Sequence, residues 1–376
     1  MKILYVTTIS NTINAFLVPH IKMLIAQGHE VDIACNIKKN VDSNLIDLGC
    51  KVHNIPFHRS PIKRDNYTAL CMIKNIVLKG KYEMIHLHTP VASFLTRFAC
   101  RNNKEVKVLY TAHGFHFYKG APIKNWIIYY TIEFLASKWT DGIITINEED
   151  YSIVQKLKLR RTNAVYKTSG VGLDLNKYSI ANSEEKRKLR EEFKYGNNDF
   201  ILFYAAELND NKNQELLINT MYLLKDKYPN IRLMLAGEGP LKGKYEEKIS
   251  KLGLCENIEL LGYRNDISQL LKISDVVVAS SKREGLPVNI MEAMATGLPL
   301  IVTDCRGQRD LVKNNINGFI IGVDDANRFA EAVIELMESN KIRKEFSRNN
   351  LIDIQKYSLN NVILEMNLIY QSLLKN

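Results

Sequence analysis

Two carboxylates, Glu284 and Glu292, stand eight positions apart in the stretch REGLPVNIMEAMATGLPLI, residues 283–301. A Gly-Leu-Pro triplet follows the first acid, and the same triplet returns at 297–299. Proline favours the first position of a helix and glycine the position just past its end. The pattern therefore predicts a short helix over about 287–295, with Gly297 past its end and Pro299 enforcing the stop. Glu284 then lies in the loop before the helix, and Glu292 lies roughly 7 to 8 Å along its axis from Pro287. The unpaired N–H groups of a helix start attract anions, and Gly285 permits close backbone approach. Carboxylates on both sides of an anion site repel a bare phosphate. They suit a ligand with hydroxyl groups on either side of a diphosphate, such as ribose, two phosphates and a sugar. A capped helix with two solvated acids has the same spacing.

Other residues fit such chemistry. His113 closes the run VKVLYTA and precedes Gly114; a strand-end histidine in an α/β crevice is a candidate functional group. His86 and His88 alternate in IHLHT and share one strand face, which favours an acceptor-facing or structural role over a zinc pair. Lys212 offers a point charge in a loop. Gly237-Glu238-Gly239-Pro240 follows a strand-like run, but Gly243 is one place too far for a dinucleotide fingerprint and Pro240 intrudes. There is no Asp-x-Asp, and all eight histidines lie between His20 and His116. No metal and no cofactor are expected.

The elements that must position these groups alternate along all 376 residues. Strand-like runs fall at 2–8, 30–35, 51–56, 83–89, 106–112, 142–147 and 163–168, then restart at 199–206, 231–237, 257–263, 275–281, 299–304 and 317–322. Helix-length segments separate them. Continuous apolar strands between helices indicate parallel sheets covered on both faces, and two series indicate two doubly wound α/β domains. The boundary falls near SGVGLDLNKY, 169–178, ahead of a charged helix at 183–193. A final segment, 359–374, carries Leu359, Val362, Ile363, Met366, Ile369, Tyr370 and Leu373 at helical spacing and needs a partner surface.

Net charge is +10. Residues 1–180 hold 24 Lys+Arg against 13 Asp+Glu, whereas the remainder is nearly neutral, so the first half is expected to meet something anionic. No recognition motif for nucleic acid accompanies the charge. No apolar run is long enough to span a bilayer, and the opening MKILYVTTIS lacks the parts of a signal peptide. The six cysteines form no CxxC pair and are expected to be free thiols in a reducing cytosol. The segment 119–139 combines Lys119, Lys124 and Lys138 with Trp126, Ile127, Tyr130 and Phe134. Such a segment either lies in a membrane interface or packs on its own domain.

With EGLPVNIMEA, YAAELNDNKNQELLI (204–218), LAGEGPLKGKYE (235–246), NIELLGYRNDI (257–267) and YTAHGFHFYKG (110–120) in order, the chain resembles the family 4 retaining glycosyltransferases over nearly its whole length. Within that family it looks most like the bacterial capsule, exopolysaccharide and lipid-linked-oligosaccharide branch. The resemblance implies the GT-B fold: two Rossmann-like domains facing a cleft, closing over the donor, with the terminal helix crossing back to the first. The expected domains are 1–170 on the acceptor side, 171–355 on the nucleotide-sugar side, and the helical segment 356–376.

The resemblance also implies roles. Glu284 takes the hydroxyls of the transferred sugar and Glu292 the ribose. Gly285, Leu286, Pro287 and Val288 surround the diphosphate, with backbone contacts at Leu286 and Val288, since Pro287 has no N–H. Lys212 binds the diphosphate, Gly239 lies in the donor loop, and Arg264 sits by the base. His113 orients the donor sugar and, with Glu284, is the expected catalytic pair. Ser10, Asn11, His86, His88, His116 and Lys119 are expected on the acceptor side. Two positions depart from the family pattern. Glu207 stands where an arginine is usual, with Arg283 as candidate replacement, and TTISNTINAF replaces a Gly-Gly loop, leaving Ser10, Asn11 and Thr12 to supply polar contacts.

The implied function is retaining transfer of a hexose or N-acetylhexosamine from a nucleotide-diphosphate sugar, UDP foremost, to a polyprenyl-diphosphate-linked saccharide. The expected location is cytoplasmic, peripheral at the inner face of the plasma membrane, where the basic first domain meets an anionic surface. The alternatives are a nucleotide-sugar 2-epimerase of the same fold and a non-catalytic sugar-nucleotide or polysaccharide-binding subunit.

Overall fold

The computed structural model describes residues 1–162 and 164–374; Asn163, the first residue of the run at 163–168, and residues 375 and 376 of the expected terminal segment lie outside the described residues. The chain divides into two compact units, Met1–Gly172 with Asn360–Asn376, and Leu173–Leu359. Each anticipated strand run carries a strand.

The first unit holds β1 (Lys2–Ile9), β2 (Glu30–Asn36), β3 (Val52–Asn54), β4 (Met84–His88), β5 (Lys107–Ala112), β6 (Gly142–Thr145) and β7 (Val165–Lys167). They form one parallel sheet in the order β3-β2-β1-β4-β5-β6-β7. The order reverses between β1 and β4, the place where doubly wound sheets leave a crevice at their carboxyl ends. Interior strand positions are buried with both alternations apolar, as a sheet covered on both faces requires.

The terminal helix, Leu359–Leu374, gives Val362, Met366, Ile369, Tyr370 and Leu373 to a cluster with Ile3, Tyr5, Ile33 and Leu109. Burial of these five contributes at most roughly 10 kcal/mol. The helix also supplies a polar tie. The Tyr370 hydroxyl hydrogen-bonds with Tyr5 and, at 2.7 Å, with Nδ1 of His86, whose Nε2 meets Thr111 at 2.8 Å. His86 is wholly buried with both ring nitrogens engaged, so the expected acceptor-side role does not hold for it.

The segment 119–139 becomes a helix in three stretches, Ile123–Asn125, Trp126–Tyr130 and Thr131–Ser137, the middle one with π-helical bonding. Trp126, Tyr130 and Phe134 pack onto the core of their own unit, the second of the two readings of this segment. The apolar side chains it leaves exposed are Ile123, Ile127, Ile128 and Leu135.

The second unit holds β8 (Phe200–Ala205), β9 (Ile231–Ala236), β10 (Ile258–Gly262), β11 (Val276–Ala279), β12 (Leu300–Thr303) and β13 (Gly318–Ile321), parallel in the order β10-β9-β8-β11-β12-β13. The order reverses between β8 and β11. The charged helix Ser183–Glu192 is fixed below the sheet by Lys186 and Arg190, each 2.7 Å from the Asp275 carboxylate.

Candidate active site

The loop leaving β11 carries the opening pattern. Glu284 is held before the helix Val288–Ala295 by two donors to one oxygen: Ser281 Oγ at 2.6 Å and Lys212 Nζ at 2.5 Å. Lys212 arrives from the loop after β8, where its carbonyl accepts from Ser280 Oγ at 2.7 Å. The buried Tyr204 hydroxyl backs Ser281 at 2.7 Å. A carboxylate, an ammonium and two hydroxyls thus meet at the reversal of strand order.

The helix starts one residue later than its proline suggests. Pro287 is the extended cap residue, not the first helical one, and no side chain caps this start. The end follows expectation: Gly297 adopts φ +70°, and the N–H groups of Gly297 and Leu298 bond back to the carbonyls of Met294 and Ala293. Glu292 lies on the second turn and accepts from Tyr178 at 2.7 Å. Burial pushes its carboxyl up, and burial pushes the Tyr178 phenol up as well, with the Glu292 charge adding to it.

Glycines close the surrounding loops. Gly307 has φ +80°, and a Cβ there would stand 2.5 Å from the Gly285 carbonyl oxygen. Its neighbour Arg306 donates through Nε to the Glu284 carbonyl at 3.0 Å. Residues 306–307 therefore fasten the 284–285 loop. Gly307→Ala is expected to cost about 1–3 kcal/mol of stability and, for the nucleotide-sugar that the sequence leads one to expect, about tenfold in affinity. Gly243→Ala, where a Cβ meets nothing, is the control; urea unfolding and calorimetric titration read both. Gly237 and Gly239 let two loops touch: a Cβ would lie 2.0 Å from the Ala206 oxygen and 2.3 Å from the Leu208 oxygen respectively.

Arg264 is paired with Asp266, Nε to Oδ1 at 2.8 Å. Glu207 is exposed, and its carbonyl accepts from Gln214. Arg283 offers its carbonyl to Asn211 at 3.0 Å.

In the first unit, His113 follows β5, and its Nε2 hydrogen-bonds with His88 Nδ1 at 3.0 Å. His88 in turn lies 4.2 Å from His86, ring to ring. His20 reaches the Val171 carbonyl through Nε2 at 2.9 Å. Burial, then the field of His20, lowers His113 to about 4; burial drives His86 and His88 well below the usual imidazole range and lowers His20. The four rings are therefore neutral at pH 7. His88 Nε2, His20 Nδ1 and Asn11 Oδ1 are buried without a hydrogen-bond partner.

Ser10 does not present its hydroxyl for a ligand. It is wholly buried, donates to the Lys39 carbonyl at 2.6 Å and accepts from the N–H groups of Lys38 and Lys39, closing the loop after β2. His116 packs against Tyr129 at 4.8 Å, and Lys119 is exposed with its N–H on Glu149. Among the described residues no group of three His, Cys, Asp or Glu side chains is placed to hold a metal ion.

Sequence reasoning missed Ser281, Tyr178, Tyr204, Arg306 and Gly307. Gly307 had a signal, since a glycine three places before Asp310 forms a helix cap. Tyr178 had none, because its partner is far along the chain.

The Glycosyl transferases group 1 pattern matches residues 185–351, and the Glycosyl transferase 4-like pattern matches 2–147. EpsD of Bacillus subtilis (strain 168), named among the glycosyltransferases, is 38% identical over 373 residues, covering 99% of this chain and 96% of that protein. The Escherichia coli UDP-Gal:alpha-D-GlcNAc-diphosphoundecaprenol alpha-1,3-galactosyltransferase is 30% identical over 75% of this chain and 73% of its own. The crystal structure of Anabaena Alr3699/HepE with UDP and glucose superposes with a TM-score of 0.81 over 99% of this chain and 100% of that one, at 18% identity, a likeness of fold.

Proposed function

Because the chain belongs to the family 4 glycosyltransferases, we propose that it moves a hexose or N-acetylhexosamine from a UDP-sugar to a polyprenyl-diphosphate-linked saccharide, with retention at the anomeric carbon. One observation carries the reading. Glu284 is fixed between Ser281 and Lys212 beside a helix start whose second turn bears Glu292. Two acceptors of hydroxyl hydrogen bonds and one cation around one helix start support recognition of a nucleotide-diphosphate sugar. The lipid-linked acceptor is supported by the name of the E. coli relative.

In this reading Glu284 holds the sugar hydroxyls, Glu292 the ribose, and Lys212 shifts its charge toward the diphosphate. The bond from the anomeric carbon to the β-phosphate oxygen breaks, and a bond to the acceptor oxygen forms on the same face. The acceptor's hydroxyl proton passes to the departing phosphate oxygen, so no protein nucleophile is required. Helix dipole and lysine stabilise the diphosphate that leaves.

Among the described residues no helix is long and apolar enough to cross a membrane. Peripheral contact through the basic first unit is part of the proposal. The test combines purified chain, a panel of UDP-sugars and extracted lipid-linked saccharides, with NMR of the product's anomeric centre. Retained configuration is the expected result. An inverted linkage refutes the mechanism, and a 2-epimer formed without acceptor replaces the activity.

A further inference from the structure

The first unit contains a cavity of about 490 Å³ beside the reversal of its strand order, where Thr8 and Ile9 end β1 and Thr89 and Pro90 follow β4. Its walls are Val91, Phe94 and Leu95 of the helix Pro90–Ala99, with Phe115, Phe117 and Ile132 opposite. The polar groups that reach it are largely engaged with one another. Glu133 is held through both oxygens by the wholly buried Arg97, at 2.8 and 3.0 Å. Arg97 also stacks on Tyr110 at 4.4 Å. The Thr8 and Thr89 hydroxyls bond each other at 2.7 Å. Thr89 is held at φ +68°, a conformation that a β-branched residue keeps only when its surroundings impose it. A sugar placed inside would lose water from hydroxyls that find few partners; a hydrocarbon chain has none to satisfy.

The mouth is different. Arg59 lines it, exposed, and Lys63 and Arg64 follow in the same loop. None of the three makes an ion pair among the described residues. Ile62, 90% exposed, stands among these cations. Asn125 donates to the carbonyl of His116, a lining residue, and its neighbours Lys124, Ile123 and Ile127 are exposed. Cations around an apolar hole complement an anionic group followed by hydrocarbon. At about 490 Å³ the cavity falls in the size range of small-molecule pockets, enough for a short isoprenoid segment.

Resting on the lipid-linked-acceptor reading above, we propose that this cavity holds the first isoprene units of the acceptor, with Arg59 at the mouth taking its diphosphate. The acceptor lipid is thereby recognised by the protein itself and is more than a membrane tether for the saccharide.

The protein carries its own reporter. Its two tryptophans, Trp126 and Trp139, pack on lining residues, Phe117 at 5.6 Å and Phe94 at 6.3 Å. The full chain is titrated with farnesyl diphosphate, isopentenyl diphosphate, inorganic diphosphate and farnesol, all below micelle-forming concentrations, and tryptophan emission is followed. Farnesyl diphosphate is expected to give a saturable change, with isopentenyl diphosphate at least about thirtyfold weaker and inorganic diphosphate silent. Arg59→Glu is expected to weaken farnesyl diphosphate about tenfold and leave farnesol unchanged. Val91→Phe, which fills the cavity, is expected to weaken both, with thermal unfolding confirming an intact fold. If Val91→Phe does not fold, the Arg59→Glu contrast decides. Farnesyl diphosphate binding no tighter than inorganic diphosphate, or binding unchanged in a folded Val91→Phe, overturns the assignment. The two readings fail separately. Isoprenoid binding without transfer to any lipid-linked saccharide removes the acceptor reading and leaves the site. Transfer that ignores Val91→Phe and Arg59→Glu removes the site and leaves the activity.

Discussion

Glu284→Gln is expected to lower turnover by about 10²–10³ while nucleotide-sugar affinity changes less than about tenfold. The amide keeps the size of the side chain, and its oxygen still accepts from Ser281 and Lys212. What disappears is the negative charge. In the resting protein that charge balances Lys212 at 2.5 Å, with the two side chains only 13% and 21% exposed. In the proposed reaction it stabilises positive charge developing on the transferred sugar, an interaction stronger in the transition state than in the bound donor. Losing the resting pair costs stability of about 1–3 kcal/mol, so urea unfolding must accompany the kinetics. A variant that keeps more than about a tenth of the turnover shows that Glu284 does not hold the reacting sugar.

Acidification from pH 7 to pH 5 is expected to destabilise the first unit sharply. His20, His86, His88 and His113 all have lowered folded-state pKa values, burial being the main cause in each. The unfolded chain therefore binds protons that the folded unit refuses. The stability that depends on these neutral rings is fully present above the unfolded value near 6.5. It is lost as the pH falls toward about 4, where His113 takes its proton in the folded state. Each such ring contributes at most about 1.4 kcal/mol per pH unit, so four give a ceiling of about 5 kcal/mol between pH 6 and pH 5. Trp126 and Trp139 both belong to this unit, and urea titrations followed by their emission measure it. His20→Asn should flatten the pH slope by at most one proton. Equal midpoints at pH 7 and pH 5 would show that the rings are already charged in the folded protein.

The two sheets were readable because their signal is local. A run such as DVVVASS between helical segments names a buried parallel strand without knowledge of its neighbours, and β11 falls inside it. The terminal helix was equally plain, since seven apolar residues at helical spacing span Leu359–Leu374. Glu284 and Glu292 were readable because glycine and proline mark the helix between them. What fastens them was not. Ser281, Tyr178, Arg306 and Gly307 act through contacts that depend on how loops from different strands meet. Ser10 misled for the same reason: its polarity serves the Lys38–Lys39 backbone. His86 and His88 share a strand face as alternation requires, yet one is sealed under Tyr370 and the other faces His113. Alternation fixes the face and is silent on what covers it.

The return of the chain to its first unit sets a timetable for biogenesis. Tyr5 and His86 emerge from the ribosome before the second unit is made, whereas Tyr370, the group that shields them, emerges after it. At roughly 5–20 residues per second, the interval between Gly172 and Asn360 is on the order of 10 to 40 s. Throughout it the nascent amino-terminal half exposes the apolar floor on which Val362, Met366 and Leu373 will later settle. Synthesis halted between Leu359 and Tyr370 thus leaves the first unit, and not the second, unfinished.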